Sequence, residues 1–570
     1  MSPSRSLPPF LIPVLTGIVS IALCGCGEDT PAESSSSAGF FREVAAARGL
    51  HLDVDRADVD DFFMPESMAG GGALFDADGD GDLDVYLVNG WWDGEADAEK
   101  GRNRLFLLQP DGTYEDATDR SGLGHGGYGM GVAIGDYDND GDLDVFVTNY
   151  GPDVLFRNDG EGRFTDVTDE AGVGCSAWGA SAGFVDYDGD GDLDLFVTCY
   201  VEYDPRVNRG VDLAGRPEYP GPATLKGVTD RLYRNVGGKR FEDDSERAGI
   251  AGKRGKGLGV VFLDLNDDGL IDIYVANDRE ANFAWINQAG SKFEDRALRL
   301  GLAHNEMSQP EASMGIAVGD ADGNGHLDLL LTHLVAETHT LYAQTSAGRW
   351  RDVTFERGLA APTRNDTGWG TGFADFDHDG DEDLVVVNGR VIRAPPPAGT
   401  PCNPHWSAYA AGDSVFWNDG GGKFERAGRE GAAFTSAPEV GRGLLVGDVD
   451  ADGDLDLVVT TANGTVRLFL NDVPKHGRWM KVRAIDPALK RDALGAVVTV
   501  VAGGRSRVRL VSHTCGYLTS GDATVHVGLG GVTRVDEIRV RWPDGRREMF
   551  GPFDPDRRVV VQRGAGREVR

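Results

Sequence analysis

The sequence predicts an all-β chain, a seven-bladed β-propeller followed by a small β-domain. Three observations carry that prediction. One unit with an Asp-rich loop recurs seven times, 81 glycines and 25 prolines stand among 570 residues, and the charge changes sign near residue 479. Internal periodicity is read before any single element, because missing it misreads the whole fold. The glycine and proline load breaks long helices and suits short strands joined by tight turns. With 92 Asp+Glu against 56 Lys+Arg the net charge is −36, which disfavours nucleic acid and favours cations as ligands.

The N-terminus reads as an address. Arg5 precedes an apolar run over 10–23, too short for the ~20 residues of a membrane-spanning helix and right for a secretory signal. The run closes on Leu23-Cys24-Gly25-Cys26, which resembles the bacterial lipoprotein signal and makes Cys26 the expected lipidated residue. Residues 1–25 are then the signal and 26–39 a Ser-rich flexible tether. Export to the cell envelope, at the outer membrane or cell surface, follows, with the lipid as the only membrane contact. Cys175, Cys199, Cys402 and Cys515 remain as an even set in an oxidising compartment, and Cys175 with Cys199 is the expected disulfide.

The propeller is expected over 40–478. Each unit opens on an aromatic, at Phe41, Tyr114, Phe164, Phe241, Phe293, Trp350 and Phe424. A Gly-rich strand, the Asp-rich loop, a β-branched strand and a short strand ending near Asn follow. Four strands per unit fit a propeller blade, with the Gly-rich strand innermost where sheets crowd.

The loop reads Asp-x-(Asp/Asn)-x-(Asp/Asn)-Gly-x-x-Asp, or nearly so. Oxygens at positions 1, 3, 5 and 9 plus the carbonyl of position 7 can wrap one Ca²⁺, which takes six to eight oxygen ligands. The first copy offers Asp76, Asp78, Asp80, Asp82 and Asp84, the second Asp136, Asp138, Asp140, Asp142 and Asp144. The third offers Asp186, Asp188, Asp190, Asp192 and Asp194, the fourth Asp264, Asn266, Asp268, Leu270 and Asp272. The fifth has Asp320, Asp322, Asn324, His326 and Asp328, the sixth Asp375, Asp377, Asp379, Asp381 and Asp383. The seventh has Asp448, Asp450, Asp452, Asp454 and Asp456, so up to seven Ca²⁺ ions are expected. Position 12 of the first copy is Leu87, where an EF-hand needs a bidentate Glu, so each loop joins two strands rather than two helices.

After Trp479 the chain holds 17 Lys+Arg against 10 Asp+Glu, and apolar and polar residues alternate between Gly turns. Residues 479–570 are expected to form the small β-domain. The Asp-rich loops between strands resemble the FG-GAP and VCBS-type repeats of integrin α-chain propellers. The stretches 494–500, 515–520 (Cys-Gly-Tyr-Leu-Thr-Ser), 526–530 and 540–545 resemble the ASPIC/UnbV domain. Together, over about 40–562, they resemble the cartilage acidic protein family and its bacterial relatives. The resemblance implies a Ca²⁺-binding extracytoplasmic protein and no particular reaction.

Motifs that look catalytic are absorbed by the repeat. Gly179-Ala-Ser181-Ala-Gly183 matches a nucleophile elbow but falls in a Gly-rich strand, without the helix that motif needs. Gly124-x-Gly126-x-x-Gly129 lies in a loop between repeats.

Topology places all Asp-rich loops on one face and the long insertions, 89–103, 202–229 and 389–413, on the other. Trp91, Trp92, Tyr128 and Trp178 fall on that second face, where loops on a rigid scaffold concentrate recognition. The sequence thus reads as a binding module for a protein or glycan. An enzyme using the same loops, acting on carbohydrate, and a structural envelope component are the alternatives.

Overall fold

The computed structural model describes residues 40–52, 62–91, 101–400, 403–428 and 432–569. Trp92, Cys26 and Cys402 lie outside them. Among the described residues no helix is long and apolar enough to cross a membrane.

Each repeat forms a separate antiparallel sheet. In the second, Gly129–Gly135, Asp144–Asn149, Val154–Asn158 and Phe164–Asp166 pair in chain order. The Asp-rich loop joins the first two strands. Outer strands run into a one-turn helix such as Thr168–Ala171, stopped by Gly172 in the left-handed region at φ 70°. The sequence reading had no such turn.

The Gly-rich strands are innermost and meet around one axis. Gly131 shows why the position is glycine, since a Cβ there would lie 2.6 Å from the Ala180 carbonyl of the next blade. A register shift between Gly129 and Val132 bends the strand at this point, and the third, fourth, sixth and seventh blades shift at the matching place. Threonines on second strands tie the ring. Thr198 Oγ1 donates to Leu258 O at 3.2 Å and Thr332 Oγ1 to Trp369 O at 2.8 Å. Thr460 Oγ1 donates to Gly70 O, joining the seventh blade to the first.

The seventh repeat lacks an outer strand of its own. Phe41–Glu43, which precedes every blade in the chain, fills that vacancy by pairing antiparallel with Val466–Asn471, Phe41 opposite Asn471. The N-terminal strand therefore closes the seventh blade and covers its edge.

The region after 478 makes two sheets. Arg478–Asp486 pairs with Arg491–Asp492, Val525–Gly530 and Arg557–Gln562. Arg505–Leu510, Val497–Ala502, Glu537–Arg541, Arg547–Phe550 and Arg567–Glu568 form the other. Val482, Val498, Val527, Ile538 and Trp542 belong to the core they share.

One segment leaves this core and enters the propeller. Thr519–Ser520 pairs parallel with the innermost strand of the first blade, Gly72–Phe75. Tyr517 and Leu518 are fully buried on the axis with Met64, Met130, Trp178, Leu258, Met314 and Trp369. The backbone reaches several blades: Val132 N–H donates to Leu518 O at 3.2 Å, Ile316 N–H to Gly516 O at 3.0 Å, and Thr519 Oγ1 to Leu444 O at 3.0 Å. The boundary near 478 is thus crossed by a plug.

Phe41 is 1% exposed and packs edge-on against Phe376 at 5.3 Å between ring centres. Phe41→Ala should cost about 3–5 kcal/mol in denaturant unfolding, the usual range for a buried Phe. Arg42→Ala on the same strand should cost under about 1 kcal/mol, because its ion pair with Asp472 is exposed. Equal effects from both would sink the closing role of this strand.

Candidate metal centres

In the second loop Asp136 Oδ2 accepts from Gly141 N at 3.0 Å and its Oδ1 from Asp140 N at 3.0 Å. Asp140 Oδ1 accepts from Asp142 N at 2.9 Å. These bonds coil the loop so that its carboxylates converge, and Gly141, at φ 110°, makes the sharp turn.

The last carboxylate does something the sequence did not disclose. Tyr137 N–H donates to Asp144 Oδ2 at 3.0 Å and Asn158 N–H to Asp144 Oδ1 at 2.8 Å. One side chain thereby closes its own loop and ties it to the third strand. Asp84, Asp194, Asp272, Asp328, Asp383 and Asp456 accept the same two bonds.

The Asn that ends the third strand is a second tie. Asn158 Nδ2 donates at 3.0 Å to Ala77 O, in the loop of the preceding blade. Asn235, Asn287, Asn418 and Asn471 repeat the bond. The fifth blade has Gln344 at that place, and Trp350 Nε1 reaches Leu265 O instead, at 2.9 Å.

The donor sets fit a hard divalent cation. In five loops the carboxylates of positions 1, 3 and 9 bring one oxygen each within 4.8 Å of one another: Asp76, Asp78 and Asp84; Asp136, Asp138 and Asp144; Asp186, Asp188 and Asp194; Asp320, Asp322 and Asp328; Asp375, Asp377 and Asp383. Asp82, Asp138, Asp320, Asp375 and Asp448 each keep a buried carboxylate oxygen without a hydrogen-bond partner. Burial, helped by neighbouring carboxylates, pushes Asp136 up to about 7, Asp138 to about 6 and Asp375 to about 8. Burial pushes Asp194 up to about 9. A positive charge close by opposes such shifts. Leu270 and His326 at position 7 are compatible, because that position lends a backbone carbonyl.

Part of the positive charge comes from the chain itself. Arg541 Nη1 lies 2.8 Å from Asp264 Oδ2, and the Lys481 ammonium pairs with Asp448. Arg491 spans the second and third loops, 2.9 Å from Asn139 Oδ1 and 2.9 Å from Gly191 O. Arg507 Nε donates to Gly380 O in the sixth loop at 3.2 Å. The charge break at 479 was the sequence signal for this contact.

The expected disulfide is not formed. Cys175 and Cys199 are free thiols, and the Cys199 thiol, hydrogen-bonded to Cys175, leads the causes that hold Cys175 down at about 5. The expected aromatic face is not an open surface either. Trp91, Tyr128 and Trp178 are 9%, 3% and 4% exposed, and the last two belong to the cluster on the axis. Insertions 202–229 and 389–413 meet instead, where Tyr219 stacks on Trp406 at 6.2 Å. Ser181 of the elbow-like motif lies in an inner strand, and its Oγ accepts from Leu518 N at 3.2 Å.

The all-β propeller-type fold with Asp-rich loops between inner strands defines a class of repeat protein. The chain carries FG-GAP-like repeats and a C-terminal ASPIC/UnbV domain. FG-GAP-like repeats match at 76–147, 136–197, 264–331 and 406–459, and the ASPIC and UnbV family at 486–568. Cartilage acidic protein 1 of Mus musculus is 26% identical over 318 residues, 54% of this chain and 44% of the relative. That of Homo sapiens is 25% identical over 328 residues, covering 54% and 43%. The chain thus spans less than half the length of these relatives. Among solved structures, the BP39L lectin of Burkholderia pseudomallei aligns at TM-score 0.42 and 12% identity, over 72% of this chain and 97% of that one.

The two roles of the loop carboxylates separate by mutation. Asp144→Ala strands two buried N–H groups at about 1–3 kcal/mol each and should lower the melting temperature with or without millimolar divalent cation. Asp138→Ala should leave the chelated protein unchanged or firmer and shrink the cation-dependent rise. Thermal melts in both conditions decide, and a cation effect equally large in Asp138→Ala counts against the ligand role.

Proposed function

We propose that the protein is an exported, lipid-anchored binding module whose loops hold up to seven Ca²⁺ ions and whose partner meets the insertion face. The hard oxygen sets support Ca²⁺, which would supply the charge that lets the buried carboxylates stay ionised. The observation that carries the binding role is a group of exposed apolar side chains on the insertions. Of the nine large apolar residues exposed among the described ones, four, Val207, Val211, Leu213 and Ile392, at 73%, 68%, 110% and 58%, fall on two insertions of one face. Val211 and Leu213 sit on and beside a small hairpin, Gly210–Val211 with Pro217–Glu218. Exposed apolar patches of this kind mark interaction sites.

The partner is a protein or glycan of the cell's surroundings. Labelled protein starting at residue 40 should bind envelope material saturably in Ca²⁺ and lose most of that binding in chelator. Val211→Asp with Leu213→Asp should weaken binding at least tenfold at unchanged melting temperature. Binding indifferent to both substitutions would remove the insertion face from the reading.

The anchor has its own measurement. Mass spectrometry of membrane-derived protein should find acyl chains on Cys26. An unacylated mature Cys26 contradicts the anchor.

A further inference from the structure

We propose that the cleft between the second and third blades, on the insertion face, takes one uncharged sugar residue of the partner. The inference rests on the reading of that face as the binding surface and names what part of it recognises.

The cleft has a volume of about 790 Å³, within the ~300–1,000 Å³ usual for small-ligand sites. Its wall is aromatic. Half-buried Tyr150 and Tyr203 have ring centres 5.9 Å apart at 63°, and Trp178 lies 5.7 Å from Tyr203. Such rings offer faces to the C–H side of a pyranose.

Two lining side chains are buried and incomplete. Asn149, 1% exposed, spends its Nδ2 on Pro152 O at 2.8 Å but leaves Oδ1 without a partner. Trp178, 4% exposed, leaves Nε1 without one. One is an acceptor and the other a donor, and unmatched buried groups of this kind cost stability until paired. Hydroxyl groups both give and accept hydrogen bonds, so a polyol answers both.

Access to the acceptor depends on a missing side chain. A Cβ on Gly127 would stand 2.7 Å from Asn149 Oδ1. The rim is charged but internally matched. Arg254 Nη1 donates to Glu202 Oε1 at 2.7 Å, and the Arg231 guanidinium bonds the Cys175 sulfur. A charged ligand would have to break one of these pairs, whereas an uncharged one leaves them intact.

Calorimetric titration of the full chain with glucose, galactose, mannose, N-acetylglucosamine and their β-linked disaccharides tests this, with glucuronic acid and a mixed tetrapeptide as contrast ligands. At least one neutral sugar should saturate the protein. Trp178→Phe, which keeps the ring and removes the donor, should weaken it at least fivefold. Gly127→Val should abolish it. Arg254→Gln, on the exposed rim, gives a variant that folds regardless and should leave neutral-sugar binding within twofold.

Saturation by glucuronic acid or the peptide alone overturns the assignment, as does sugar binding indifferent to Gly127→Val and Trp178→Phe. If envelope binding through Val211 and Leu213 persists while no sugar binds, the sugar assignment falls and the binding module stands. If neither binds, both fall.

Discussion

Seven times the same carboxylate accepts two backbone N–H groups, one from its own loop and one from the third strand of its blade. That pair of bonds, seen on Asp144 from Tyr137 and Asn158, holds the end of each sheet together. The acceptor is buried, and burial raises Asp144 well above the ordinary carboxylate range. The blade therefore depends on a group that water no longer solvates. Ionised, it needs positive charge close by, and the other loop carboxylates converge on the same spot. Structural tie and cation demand are one constraint, because the geometry that closes the blade also gathers the charge.

The rest of the molecule answers that constraint. The basic region after 478 lays Arg491, Arg541, Arg507 and Lys481 on the loops. Exposed ion pairs contribute little, but Arg541 and Lys481 end on the carboxylates of Asp264 and Asp448, which are almost wholly covered, where screening by water and salt is weak. Charge fixes the contact and the plug fixes its position. Tyr517, whose hydroxyl donates to Met68 O at 3.2 Å, and Leu518 fill the axis that small inner residues leave open. The C-terminal region thus serves the propeller as both counter-charge and core.

What was legible in the sequence was whatever repeats or is local. The Asp-rich loop declares its turn chemistry in nine residues, and seven copies declare the blade. An aromatic-started strand stands ahead of the first loop, at Phe41, and none follows the seventh, so the sequence itself implies the pairing of Phe41 with the seventh blade. Long-range placement was not legible. Nothing local in Gly516-Tyr517-Leu518 says that it leaves its own sheet, since the reason lies in blades hundreds of residues away. The fate of Tyr128 and Trp178 was hidden likewise, because an aromatic that opens an inner strand looks the same whether it faces solvent or a plug. The exchange of Asn for Trp350 as the inter-blade donor shows the same limit, since the bond needs an N–H at a point in space and not a residue type.

The placement of the C-terminal region also decides where recognition can happen. Exposed loop carboxylates could have made the cation face a docking surface, with bound ions as the bridge. Here the chain's own guanidinium and ammonium groups already occupy part of that face, at Asp264, Asp448, Asn139 and Gly380. The opposite face carries the long insertions, whose apolar tips Val211 and Leu213 stand in solvent. These insertions sit on strands tied at their far ends by the loop carboxylates, so their sequence can vary without loosening the blades. A division follows in which one face spends its charge on holding the ring and leaves the other free to specify a ligand.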